Sequence, residues 1–254
     1  MAIVTGGGTG IGRATALVLA EHGADLVLCG RRTGPLEETA AVIEALGRRG
    51  LAVPTDVTDP DQCEKLVAIA LAEFGRLDVL VNNAGGGYLK PLMEWSPQEW
   101  RELISSNLES AWYMSRSAAL PMIEQGKGSI INISSGASLR TMPNAAPYGA
   151  AKAGLNNLTG ALAAGLTPRG VRVNAIAVGA VVTDQLTSEA RQYLEPGRTY
   201  PYNALGRVGR PDEIGFAVQF FASDASSFCS GQTVWINGGP LGEGGPEPGI
   251  SLQD

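Results

Sequence analysis

The sequence predicts a single α/β domain, a doubly wound, seven-stranded parallel sheet flanked by helices on both faces. Three observations carry this. Short apolar runs alternate with helical stretches along almost the whole chain, the pattern of successive βαβ units. Runs such as Leu77–Val81 are nearly continuous in apolar residues, as expected of strands covered on both faces. The first run ends in a glycine-rich turn that opens a helix, a combination that favours a bound phosphate.

At 254 residues, with 44% hydrophobic and 17% charged residues, the chain can bury one large core without staples. A net charge of −6 gives no electrostatic case for nucleic acid or an anionic membrane. No apolar run approaches the ~20 residues of a membrane span and no secretory leader is visible, so a soluble, cytoplasmic protein is expected. Cys29, Cys63 and Cys229 are widely spaced, and His22 is the single histidine. That argues against a metal site, a disulfide framework and Ser-His-Asp chemistry.

Ala2–Thr5 is the first strand and Arg13–His22 the body of the first helix. Between them Gly6, Gly10 and Gly12 keep a Gly-x3-Gly-x-Gly spacing, so Gly6, Gly8, Thr9, Gly10, Ile11 and Gly12 form the candidate cofactor turn. The second strand, Ala24–Cys29, leads into Gly30-Arg31-Arg32 with no acid. In dinucleotide folds an acid at this place binds the ribose 2′-hydroxyl, whereas arginine suits a 2′-phosphate. Arg31 and Arg32 therefore favour NADP(H) over NAD(H).

A helix over Pro35–Leu46 precedes a third strand, Leu51–Val57, that includes Asp56; Asp59–Phe74 is the next helix. The fourth strand, Leu77–Val81, leads into Asn82-Asn-Ala-Gly85, and the glycines at 85 to 87 leave little bulk beside a ligand. One long helix is predicted from Gln98 to Gln125, with Asn107 in its middle, a residue whose side chain competes for backbone partners. The fifth strand, Ser129–Ser135, carries hydroxyls at its C-terminal end, where open α/β sheets place ligands. Val171–Ala177 is the sixth strand, followed by Val178-Gly179 and Thr183. Residues 184–207 lack periodicity and contain Pro196, Gly197 and Pro201, which predicts a mobile lid. A helix over Pro211–Ala222 and a strand over Gly231–Asn237 complete a domain of residues 1–240, leaving a Gly/Pro-rich tail at 241–254.

The chemistry centres on Tyr148-Gly-Ala-Ala-Lys152, which reads as helix. Residues four apart share a helix face, so phenol and ammonium point the same way. A nearby cation favours the phenolate, and such a phenol serves as general acid or base at a carbonyl or alcohol oxygen. Elsewhere the same pair would be an ordinary exposed Tyr and Lys.

Taken together, Thr5-Gly6-x3-Gly10-Ile-Gly12, Asp56-Val57, Asn82-Asn-Ala-Gly85, Asn107, Ser135 and Tyr148-x3-Lys152 resemble the short-chain dehydrogenase/reductase family in order and spacing. The resemblance spans nearly the whole chain, implies a Rossmann-type domain, and extends to 3-oxoacyl-carrier-protein reductases. It implies that Tyr148 is the general acid/base, that Lys152 lowers its pKa and holds the nicotinamide ribose, and that Ser135 binds the substrate oxygen. Asn107 would anchor a water in a proton relay. Asp56 and Val57 would hold adenine, and Asn83, Ala84 and Gly85 would flank the adenosine ribose. Gly179, Val181 and Thr183 would lie beside the nicotinamide. Val178 departs from the family's usual proline there and is expected to loosen that turn.

The implied function is NADPH-dependent reduction of a ketone to a secondary alcohol, with a 3-oxoacyl thioester as one candidate. The wall from Ala137 to Pro147, with Leu139, Met142, Pro143, Ala145 and Ala146, faces Gln185 and Leu186 and is expected to be mostly apolar. Arg169 matches a docking arginine of carrier-protein reductases. The second basic position is Gly126, beside Lys127, so an acyl carrier protein partner stays open. The alternatives are oxidation of a secondary alcohol, steroid or sugar, and a non-catalytic dinucleotide-binding regulator. A homotetramer or homodimer through the Asn107 and Tyr148 helices and the last strand is also implied.

Overall fold

The computed structural model describes residues 1–184, 186 and 188–239. Its strands are β1 (Ala2–Thr5), β2 (Leu26–Gly30), β3 (Gly50–Pro54), β4 (Val79–Asn82), β5 (Gly128–Ser135), β6 (Val171–Val178) and β7 (Thr233–Ile236). The helices are α1 (Gly10–Glu21), α2 (Thr33–Ala45), α3 (Pro60–Phe74), α4 (Pro97–Ile104), α5 (Ser110–Gln125), α6 (Ala146–Leu166), α7 (Ser188–Arg191) and α8 (Pro211–Ala222). The seven strands form one parallel sheet in the order β3-β2-β1-β4-β5-β6-β7. The doubly wound sheet expected from the sequence is the one observed.

Alternation along the strands divides the core between two faces. Val4, Leu28, Val81 and Ile131 pack with Leu19 of α1, Ile43 of α2 and Val218 of α8. Ile3, Val27, Leu80 and Ile130 pack with Leu66 of α3, Met114 of α5 and Leu162 of α6. β1 and β4 are buried throughout, whereas the edge strands β3 and β7 are partly exposed. The apolar run that predicted a central strand thus marks the middle of the sheet.

Three local differences have physical causes. β3 stops at Pro54, and Asp56 lies in the turn beyond it, because its Oδ1 accepts from the Thr58 N–H at 3.0 Å and the Thr58 hydroxyl at 2.7 Å. Such an Asx-type turn pulls the chain out of the ladder. The long helix is interrupted by a π-turn at Ser105–Glu109. There Asn107 Nδ2 donates to the Leu103 carbonyl at 3.0 Å, and the Ser110 N–H reaches the Ser105 carbonyl five residues back. The region read as a lid holds α7 and a turn at Gln192–Leu194. Arg191 pins it by donating to the carbonyls of Thr183, Asp184 and Leu186 at 3.0, 3.0 and 3.1 Å. Gln185 and the tail at 241–254 lie outside the described residues.

A buried polar chain binds the layers beneath the C-terminal edge of β4 and β5. Asn82 Nδ2 donates to Ser115 Oγ at 2.9 Å and Asn132 Oδ1 at 2.8 Å, and Asn132 Nδ2 donates to Thr159 Oγ1 at 2.9 Å. This ties β4 and β5 to α5 and α6 where water cannot substitute for a lost partner. Asn132→Ala removes one partner from each of Asn82 and Thr159 and is expected to cost about 1–3 kcal/mol. Urea unfolding measures this, and an unchanged midpoint would contradict the assignment.

Candidate active site

The strand order reverses between β1 and β4, so the turns after these strands flank the crevice that such sheets use for ligands. Thr5 joins the two turns. Its Oγ1 accepts from the N–H of Asn83 at 2.9 Å and of Ala84 at 2.8 Å, and its carbonyl accepts from Asn83 Nδ2 at 2.9 Å. Gly6 and Gly10 have φ of 66° and 53°, which an L side chain rarely adopts. A Cβ on Gly12 would sit 2.1 Å from the Gly6 carbonyl oxygen, and one on Gly10 would sit 3.3 Å from Thr183 Cγ2. The turn is therefore bare backbone. Thr9 caps α1 without a side-chain bond and the first turn has no acid, so the positive helix end has no counter-charge of its own. These residues fit the diphosphate of a dinucleotide.

The other cofactor candidates surround this cradle. Gly8 backs onto Pro35, and Gly30 lies beside Gly6. Ile11 packs against the core. Arg31 and Arg32 follow Gly30, are exposed, and make no ion pair or hydrogen bond among the described residues. The Thr55 N–H donates to the Gly30 carbonyl at 2.9 Å, holding the turn with Asp56 and the buried Val57 beside the same strand end.

Tyr148 lies in the first turn of α6 and Lys152 one turn further. Lys152 is 5% exposed, its Nζ lies 5.7 Å from the Tyr148 ring centroid, and it donates to the Ile133 carbonyl of β5 at 2.9 Å. Burial pulls its ammonium down to about 8. The Tyr148 phenol is pushed up by burial, with a hydrogen bond to Ser135 opposing. The lowered phenol implied by the resemblance is therefore not the state of the chain by itself. Desolvation is the larger influence on the phenol, and the Lys152 ammonium donates its hydrogen bond to a β5 carbonyl.

Ser135 closes β5, and its Oγ accepts from the Ala137 N–H at 3.2 Å, fixing the turn that leads away from the sheet. Asn107 is clamped onto the loop after β4. Its Nδ2 donates to the Gly86 carbonyl at 2.8 Å, and its Oδ1 accepts from the Gly86 N–H at 2.9 Å. A Cβ on Gly85 would sit 2.6 Å from that Oδ1, and one on Gly87 would sit 3.0 Å from the Tyr148 ring. The side chain of Asn107 thus holds a glycine loop against the phenol.

Gly179 donates to the Ile236 carbonyl at 3.0 Å, and its bare α-carbon lets Asn237 approach. Val181 bridges to Gly209, and Thr183 overlies Gly10. Val178 pairs with Ser135 and Ile236, so it extends β6 instead of loosening the turn. The wall read as apolar has a polar part. Arg140, Tyr200, Tyr202 and Asn237 line a cavity of about 50 Å³ next to Gly136 and Trp235, while Leu139 is 71% exposed. The bridging role of Thr5, the contact of Gly87 with Tyr148, and Arg140 itself are functional features that spacing alone did not give. Thr5, directly before the glycine turn, and Gly87, in the glycine run after β4, carried a sequence signal, whereas Arg140 carried none.

A family model described as enoyl-(acyl carrier protein) reductase matches residues 6–240. The 3-oxoacyl-[acyl-carrier-protein] reductase FabG of Staphylococcus aureus is 37% identical over 241 residues, covering 94% of this chain and 96% of the relative. The cis-4-hydroxycyclohexanecarboxylate dehydrogenase of Sinomonas cyclohexanicum is 39% identical over 243 residues, covering 94% and 95%. Among solved structures, a 7α-hydroxysteroid dehydrogenase complexed with NADH and 7-oxo glycochenodeoxycholic acid superposes with a TM-score of 0.87. It is 33% identical, with 94% of this chain and 93% of that chain covered. The chain belongs to the short-chain dehydrogenase/reductase family and is an oxidoreductase that acts on CH–OH and C=O groups.

Proposed function

We propose that this protein reduces a ketone to a secondary alcohol with NADPH, using Tyr148 as general acid. The observation that carries the proposal is the buried ammonium of Lys152, 5.7 Å from the Tyr148 ring centroid on the same helix and bonded to the Ile133 carbonyl of β5. When bound, the dinucleotide supplies hydride. Ser135 orients the carbonyl oxygen by donating its hydroxyl proton to it, and the protonated Tyr148, kept neutral by burial, gives the proton to the developing alkoxide. Lys152 supplies positive charge that favours the resulting phenolate. Gly87 and the Asn107 clamp keep the ring in place for that transfer.

Gly6, Gly8, Thr9, Gly10, Ile11 and Gly12 would hold the diphosphate, with Arg31 and Arg32 on a 2′-phosphate. Asp56, Val57, Asn83, Ala84 and Gly85 would hold the adenosine end. Gly179, Val181 and Thr183 would take the nicotinamide end. Two exposed, unpaired arginines support NADPH over NADH. The relatives named as dehydrogenases support a second reading, oxidation of a secondary alcohol with Tyr148 as base. A 3-oxoacyl thioester substrate draws support from the FabG relatives. A carrier-protein partner draws less, because Lys127 is already paired with Asp224 at 2.9 Å while Arg169 is unpaired among the described residues. Exposed Trp100 and Trp112, on α4 and α5, fit self-association into a homotetramer or homodimer, most directly tested by sedimentation.

Tyr148→Phe is expected to lower kcat for ketone reduction by about 10²–10⁴-fold while leaving the NADPH Kd nearly unchanged. Retained turnover would contradict the general-acid role. Arg31→Ala is expected to raise the KM for NADPH far more than that for NADH; equal changes would remove the 2′-phosphate assignment. Reductive kcat/KM should be highest at low pH and fall as pH rises through about 8, where Lys152 loses its charge. A profile that stays flat to pH ~10, the ordinary lysine range, would contradict that role.

A further inference from the structure

Beside Ser135 the chain builds a second recognition element. The Ser135-capped turn at Gly136–Ser138 ends where the N–H of Arg140 donates to the Gly136 carbonyl at 3.2 Å. Arg140 then lines the 50 Å³ cavity that starts one residue beyond Ser135. Its guanidinium has no hydrogen bond or ion pair among the described residues. No carboxylate lines the cavity, so its charge has no internal partner there. The opposite wall is aromatic and mutually braced, with the Tyr193 and Tyr200 rings 5.4 Å apart and the Tyr200 and Tyr202 rings 5.2 Å apart. The charge of Arg140 reaches the half-buried Tyr200 phenol, whose pKa is pushed up chiefly by burial.

We infer that Arg140 is a specificity-determining residue that binds a carboxylate carried by the substrate. This rests on the oxidoreductase site described above and names the class of its substrate, an oxo acid or hydroxy acid. A guanidinium fork matches a carboxylate in two parallel hydrogen bonds, a geometric match available to the exposed Arg140. Tyr200, Tyr202 and Asn237 add polar groups at the rim. A phosphate monoester, close to doubly charged at neutral pH, would need a second cation, and Arg140 is the one cation lining the cavity. The unpaired arginine therefore favours the singly charged group.

The test compares cyclic oxo acids with their methyl esters, in wild type, Arg140→Gln and Arg140→Lys. Wild type should prefer acid over ester in kcat/KM by about 10–100-fold, the range expected for a lost charge-assisted bond. Arg140→Gln should remove the preference by raising KM for the acids alone, without changing NADPH binding, and Arg140→Lys should restore part of it. Equal use of acid and ester by wild type, or equal losses on both in Arg140→Gln, overturns the subsite while leaving the reductase reading intact. Should wild type reduce neither compound, turnover does not reach the subsite, and binding decides it separately. Quenching of tryptophan fluorescence by the oxo acids in wild type but not in Arg140→Gln would then support it, and quenching equal in both, or absent, would overturn it.

Discussion

The site depends on one buried charge. Lys152 carries its ammonium into the contact between α6 and β5, where it is almost fully removed from water and bonded to the Ile133 carbonyl. A lysine there is costly, and burial moves its pKa down to about 8 accordingly. Tertiary packing must hold α6 on β5 despite that cost, and the Asn82–Asn132–Thr159 chain and the apolar contacts of Leu162 do so. The same desolvation raises the phenol of Tyr148, so the free chain stores a neutral acid next to a cation that loses its proton easily. Both groups are tuned by the same lack of water.

Around that charge the remaining parts are backbone devices. The glycine turn after β1 and the glycine loop after β4 are locked together by Thr5, and each approaches its neighbour too closely for a side chain. The π-turn at Asn107 frees a side-chain amide that grips Gly86 on both its donor and acceptor sides. That grip extends from the helix interior to the ring of Tyr148 through Gly87. A defect in an otherwise regular helix is thus what couples the β4 loop to the phenol.

Much of this was legible in the sequence because it rests on local rules. Strand-helix alternation, the apolar central strands and the glycine spacing are short-range signals, and Tyr148-x3-Lys152 is a helix-face rule. Legibility ended where long-range contacts decide. The break at Asn107 depends on a partner in the β4 loop, and the end of β3 depends on the Asp56 side chain turning back on Thr58. Val178 looked like a loosened turn, yet its place between β5 and β7 makes it strand. Arg140 lay inside a stretch read for its apolar residues, and its companions Tyr200, Tyr202 and Asn237 are distant in sequence.

These parts make an account in which hydride reaches the carbonyl carbon while Tyr148 protonates its oxygen. The family description of enoyl reduction sets a clear contrast, since hydride would then go to the β-carbon of a carbon–carbon double bond and leave no hydroxyl. The most direct measurement is the fate of deuterium from NADPH labelled at the transferred position, read by mass spectrometry and NMR of the product. The account predicts one deuterium on the carbinol carbon of a secondary alcohol. Deuterium on a saturated carbon that bears no hydroxyl, or none in the product, would contradict it.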